Sequence, residues 1–215
     1  MTIEGCQFSR RKVDPDPISI GLAVLGALGS LASIASYLES RRHQAEKFLP
    51  FSNPQHVLFG RKSSSFKTKF RDRITKLDAS FEDLKGRLET LWSLLEEVEF
   101  VGEIELIELP FEFGAVKPLL DKQDLALFFR IQNEVNQLCN KITKDCQGLI
   151  KLLEELDKDV SPEIYSKLLQ LRSRLNKAIG EKQDFVSVLQ LNLDCIDNSI
   201  AICSLIRDDF ESSGE

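Results

Sequence analysis

Twenty-one consecutive residues without a charge, Ile18 to Leu38, constrain this chain more than any other feature. As a helix rising about 1.5 Å per residue they span about 31 Å, close to the roughly 30 Å of a bilayer's hydrocarbon core. The surrounding chain is of a different kind. Charged residues make up 29% of the 215 positions and hydrophobic ones 42%, so the rest of the sequence has the balance of a water-soluble globular domain. The run must satisfy lipid, a protein core, or both.

Its composition suits each. Gly21, Gly26 and Gly29 with Ser30 and Ser33 give the helix a small, weakly polar face, and four-residue spacings such as Gly26/Ser30 and Gly29/Ser33 let helices approach closely in membranes or in bundles. The apolar positions Ile18, Ile20, Leu22, Val24, Leu25, Leu28, Leu31, Ile34 and Leu38 are the candidates to enter lipid. Arg10, Arg11 and Lys12 before the run, and Arg41 and Arg42 after it, are placed to meet anionic headgroups at about 1 kcal/mol each. Basic residues on both sides weaken any orientation signal. Two aspartates and two prolines precede the run, an arrangement unlike a secretory leader.

Downstream, helical periodicity dominates. From Phe66 the apolar positions Phe70, Ile74, Leu77, Phe81, Leu84, Leu88, Leu91, Leu95 and Val98 recur at threes and fours, as on the seam of a bundle. A second stripe runs Phe128, Ile131, Val135, Leu138, Ile142, Cys146, Leu149, Leu153 and Leu156. Ser161 and Pro162 open a third, Ile164, Leu168, Leu171, Leu175 and Ile179, which Gly180 closes. The last helix is apolar on more than one face, with Phe185, Leu189, Leu193, Ile196, Ile200 and Cys203 on the main one, and is therefore expected at the centre.

The expected fold is all-α, an elongated antiparallel bundle of about five helices: an exposed tail over 1–17, then helices over 18–48, 63–101, 118–158, 161–179 and 181–210, and a short tail over 211–215. An acidic linker fills 102–117, where EIELIELPFEF alternates and Pro110 interrupts. Glu103, Glu105, Glu108, Phe111 and Phe113 of that linker are candidates for docking a protein partner.

Charge is unevenly spread. Residues 1–76 hold 13 Lys/Arg against 6 Asp/Glu, while the rest of this chain of net charge -6 is strongly acidic. The early part is thus expected to face an anionic surface. Nucleic acid is disfavoured, because Phe66 and Phe70, which interleave the basic stretch, belong to the helical stripe and are not available for stacking. Five cysteines without a CxxC pair point to buried reduced thiols and a cytoplasmic setting.

Nothing points to catalysis. His43 and His56 are the only histidines, nucleophile-elbow and zinc-helix motifs do not occur, and GRKSSS at Gly60 lacks the upstream glycine of a phosphate loop. No cofactor and no metal site is expected. Asp194 and Asp197, on an apolar helix, should be paired, hydrogen-bonded or protonated.

Asp16, Pro17, the aliphatic Ile18, Ser19 and the Gly/Ala-rich helix from Gly21 to Ile34 together resemble the opening segment of HeLo-type helical bundles. These stand at the N-termini of fungal incompatibility and NLR-like proteins and are similar in architecture to the bundle of the mixed-lineage kinase-like pseudokinase. The resemblance implies a four- or five-helix bundle whose first helix is sheltered at rest. On oligomerisation it is released into the inner leaflet and permeabilises the membrane, in cell-death or defence signalling. Here the motif starts after 15 residues, and no sensor domain accompanies it in the chain, so a trigger would come from a partner or sensor in trans. Two other readings stand beside this one: a soluble adaptor with the first helix as core, and a permanently anchored single-pass protein.

Overall fold

A computed structural model describes residues 17–48, 64–102, 121–156, 161–180 and 185–212, and all five segments are helical. They are α1 (Pro17–Phe48), α2 (Ser64–Gly102), α3 (Lys122–Leu156), α4 (Pro162–Gly180) and α5 (Phe185–Ser212). Arg10, Arg11, Lys12, Glu103, Glu105, Glu108, Phe111 and Phe113 lie outside the described residues, as do the side chains of Ile18 and Arg42.

The helices pack as an all-α bundle. α2 packs against α3 and α5, α3 also against α1, and α4 against α1 and α5, while α1 and α5 pack against each other. α5 is central as expected, and α1 shares the place, each packing against three neighbours. The reason is compositional: Gly21, Ala27, Ala32 and Ala35 keep the packed side of α1 slim enough for three neighbours.

Ion pairs fix the chain directions. Along α2, Arg73 pairs with Asp145 and the later Arg87 with the earlier Glu134, so numbers rise on α2 as they fall on α3. Asp78 with Arg207 and Lys85 with Asp197 do the same for α2 and α5. Both neighbours of α2 therefore run antiparallel to it. Arg87 Nε lies 2.9 Å from Glu134 Oε2, off the line of a hydrogen bond, so that contact is ionic only.

The three-four stripe of α2 from Phe70 to Leu91 is buried throughout. α3 differs by one position: Cys139 occupies the core and Leu138 only flanks it. Its start differs too, at Lys122 rather than 118, because Asp121 caps the helix, its Oδ1 accepting from the backbone N–H of Gln123 and Asp124 at 2.6 and 2.9 Å. Ser161 caps α4 as expected, with Ile164 N–H donating to its Oγ at 3.4 Å. In α5 the buried line runs Leu189, Asn192, Ile196, Ser199, Cys203 and Ile206, while Leu193 and Ile200 are partly buried at its margin.

Candidate functional site

Ile20–Arg41 of α1 is the one stretch among the described residues long and apolar enough to cross a membrane. In the folded chain it is a core element. Ile20, Val24, Leu28, Leu31, Ile34 and Leu38 are each at most 1% exposed, Leu25 is partly buried, and Leu22 alone stands out at 62%. Burying those six side chains stabilises the bundle by a gross ~9–18 kcal/mol, at about 1.5–3 kcal/mol apiece. An acyl-chain environment would return a similar sum, since core and hydrocarbon both remove the side chains from water. Side-chain transfer therefore does not decide between the two locations.

What decides is the specific contact of α1 with its neighbours. Gly21 makes the closest approach: a Cβ there would sit 3.3 Å from Val188 Cγ1 and 4.0 Å from Asn192 Nδ2. The Oδ1 of Asn192, buried in α5, has no hydrogen-bond partner, so this junction carries the cost of an unsatisfied acceptor. Ser30 Oγ reaches Thr143 Oγ1 of α3 at 3.3 Å and also donates to Gly26 O at 3.0 Å. Arg172 of α4 donates to Ser36 Oγ and to Glu39 Oε2, both at 3.1 Å. These polar ties are partly exposed, each worth about 1 kcal/mol or less.

The small face divides. Gly21 lies in the α1–α5 contact, whereas Gly26 and Gly29 have nothing within 4 Å of a would-be Cβ, and Ser33 is exposed. Leu22, Gly26, Ser33, Ser36 and Ser40 are exposed and Gly29 half-exposed, and their spacing by fours, threes and one another's turns makes a single uncovered line along α1. Thr143 of α3 and Arg172 of α4 stand on either side of it.

Asp194 and Asp197 are on the exposed side of α5, not among its buried residues. Gln190 Nε2 donates to Asp194 Oδ1 at 3.1 Å, and Asp197 takes Lys85 at 2.8 Å, which raises the lysine pKa. The polar residues actually buried in α5 are Asn192 and Ser199, which the apolar pattern of the sequence did not single out. Ser199 is satisfied by donating to Cys195 O at 2.8 Å.

Cys139, Cys146, Cys195 and Cys203 are buried free thiols. Burial pushes Cys139 and Cys146 up to about 12 and raises Cys195 and Cys203 as well, so none is poised as a thiolate nucleophile. Among the described residues no group of three His, Cys, Asp or Glu side chains could hold a metal ion.

The arrangement defines an all-α bundle built around an apolar first helix. No family model, curated protein or solved structure matches the chain.

Proposed function

We propose that this bundle is a non-enzymatic, membrane-directed effector or signalling module, in which α1 is core at rest and enters lipid when the bundle opens and oligomerises. The observation that carries the reading is the double competence of α1: a helix of membrane-spanning length and composition sits in the core, with one face already uncovered. A cytoplasmic location beside an anionic membrane, a trigger from a partner in trans and a role in cell death or defence complete the proposal, the last on the strength of the resemblance of residues 16–34.

Gly29→Arg tests it. Position 29 lies near the middle of the run and is open in the bundle, so the closed form should tolerate the arginine, with a melting temperature within a few degrees of the parent. At the centre of a bilayer the same charge costs about 2.5–3.5 kcal/mol or more. Parent protein should float with anionic liposomes both at low salt and at about 1 M, where screening lengths shrink to about 3 Å. The variant should keep only the salt-sensitive part. Salt-resistant flotation that is equal for both proteins, or absent from both, would overturn insertion by α1 and leave the adaptor reading, with α1 as ordinary core.

A further inference from the structure

Summed along the sequence, α3 is neutral: Lys122, Arg130, Lys141, Lys144 and Lys151 balance Asp124, Glu134, Asp145, Glu154 and Glu155. The fold separates these charges. Glu134 and Asp145 turn into the α2 seam to meet Arg87 and Arg73, and from Arg130 to Lys151 every exposed charged residue of α3 is basic. Alongside, the first turns of α2 add Lys69, Arg73 and Lys76, with Asp72 as the one acid in that stretch. The antiparallel pairing of Arg73 with Asp145 brings these lysines to the same end of the seam as Lys141, Lys144 and Lys151.

Gly148 shapes the surface. The Arg73 guanidinium lies where a Cβ at that position would sit, so a larger residue there would push the arginine's end aside. Among the described residues no carboxylate forms an ion pair with Lys69, Lys76, Lys141, Lys144 or Lys151. A chain of net charge -6 thus brings Lys69, Arg73, Lys76, Lys141, Lys144 and Lys151 to one end of the α2–α3 seam, beside the carboxylates of Asp72 and Asp145.

We infer that this α2–α3 face is the surface on which the closed bundle docks to an anionic bilayer. The inference rests on the membrane-directed reading above but adds the docking residues, none of which belongs to the basic clusters flanking Ile18–Leu38. Three features favour lipid over other polyanions. The cations are mainly lysines, compact hydrated charges spread over about 15 Å of α3 alone, from 141 to 151. Such a distribution suits mobile headgroups better than one shaped ligand. The described aromatic of the basic stretch, Phe70, is buried, leaving no stacking platform for bases. The third is position: Ser30 bonds Thr143, which lies between Lys141 and Lys144, so α1 passes the same stretch of α3.

The test compares two full-length variants of equal charge change, Lys141→Glu/Lys144→Glu/Lys151→Glu on the face and Lys122→Glu/Lys167→Glu/Arg174→Glu away from it. Circular dichroism checks that both fold. Flotation at low salt uses vesicles of phosphatidylcholine with phosphatidylserine, and a single-stranded RNA at matched phosphate concentration is the competing probe. The face variant should lose vesicle partitioning by about tenfold or more relative to the control variant. Equal partitioning of the two variants, absence of low-salt binding by the parent, or tighter face-dependent binding to RNA than to vesicles would each overturn the proposal. Failure of α1 insertion is distinguishable: Gly29→Arg would then float like its parent at every salt concentration while the face variant still fell away at low salt.

Discussion

Gly26 and Gly29 are a poor choice for a helix that only has to be stable in water. Nothing lies within 4 Å of a Cβ at either position, and glycine weakens a helix interior by about 0.5–1 kcal/mol relative to alanine. Gly26→Ala and Gly29→Ala should each stabilise the free bundle by about that amount in urea unfolding. Gly21→Ala should not, because Val188 Cγ1 would be 3.3 Å from the new methyl group. A loss of stability at 26 or 29 would mean that a neighbour needs the glycine in the closed form; a gain would leave the small face to be explained by another state of α1. The thiols make a second residue-scale prediction. Below their ordinary range near 9, Cys139 and Cys146 are protonated whether the chain is folded or not, and they add no pH dependence. Above it the unfolded thiols ionise while the buried ones, raised to about 12, do not. The unfolded state then binds fewer protons, so stability falls as pH rises, by up to about 1.4 kcal/mol per pH unit per thiol. Lys85, raised by Asp197, acts in the same direction at the alkaline end. Urea midpoints should be flat from pH 7 to 8.5 and drop steeply by pH 10.5; Cys146→Ala should shrink the drop, and a drop of undiminished size would mean that the thiol is not its source.

At the scale of elements, legibility followed how far local chemistry alone specified each helix. α2 was readable because its stripe from Phe70 to Leu91 is apolar at every core position, and α4 because Ser161 and Pro162 announce its start. The beginning of α3 was not, since Asp121 caps through its side chain in a stretch whose apolar residues, Leu119 and Leu120, extend the pattern backwards. The face of α5 was misread because Asn192 and Ser199 occupy core positions, and a hydrophobicity count passes over polar residues there, whether satisfied by the helix itself, as Ser199 is, or left with an unpaired oxygen, as Asn192 is. α1 was readable as a helix but not as to its place, because a bundle core and a hydrocarbon layer ask for the same side chains. The contacts that hold it, Arg172 to Glu39 and Ser30 to Thr143, join residues more than a hundred positions apart, and no local pattern signals them. The basic face of α3 was hidden for a related reason: it exists only because Glu134 and Asp145 turn toward α2, a choice made by the partner helix.

For the whole molecule, the contact scheme dictates what must happen if α1 leaves. α2 packs against α3 and α5 without needing α1, and the ion pairs Arg73–Asp145, Arg87–Glu134, Asp78–Arg207 and Lys85–Asp197 all lie on those two seams. α4 is differently placed, since its main packing is against α1 and α5, and its Arg172 tie is to α1. Departure of α1 therefore removes one of the two main partners of α4 and leaves the α3–α2–α5 group joined. The α5 seam alone then holds α4, and a small polar cleft lined by Lys167, Gln170, Arg174 and Asn198 opens in it over Leu171, Ala201 and Ile202. Protection from amide exchange tracks such local packing, from nearly zero at weakly held segments to the global stability at the core. In hydrogen–deuterium exchange on vesicle-bound protein, α4 should lose protection relative to the free chain, while α2, α3 and α5 keep most of theirs. Loss of protection in α2 together with α4 would mean that the bundle unfolds as a whole at the membrane, and unchanged protection in α4 would mean that α1 never left its place between α3, α4 and α5.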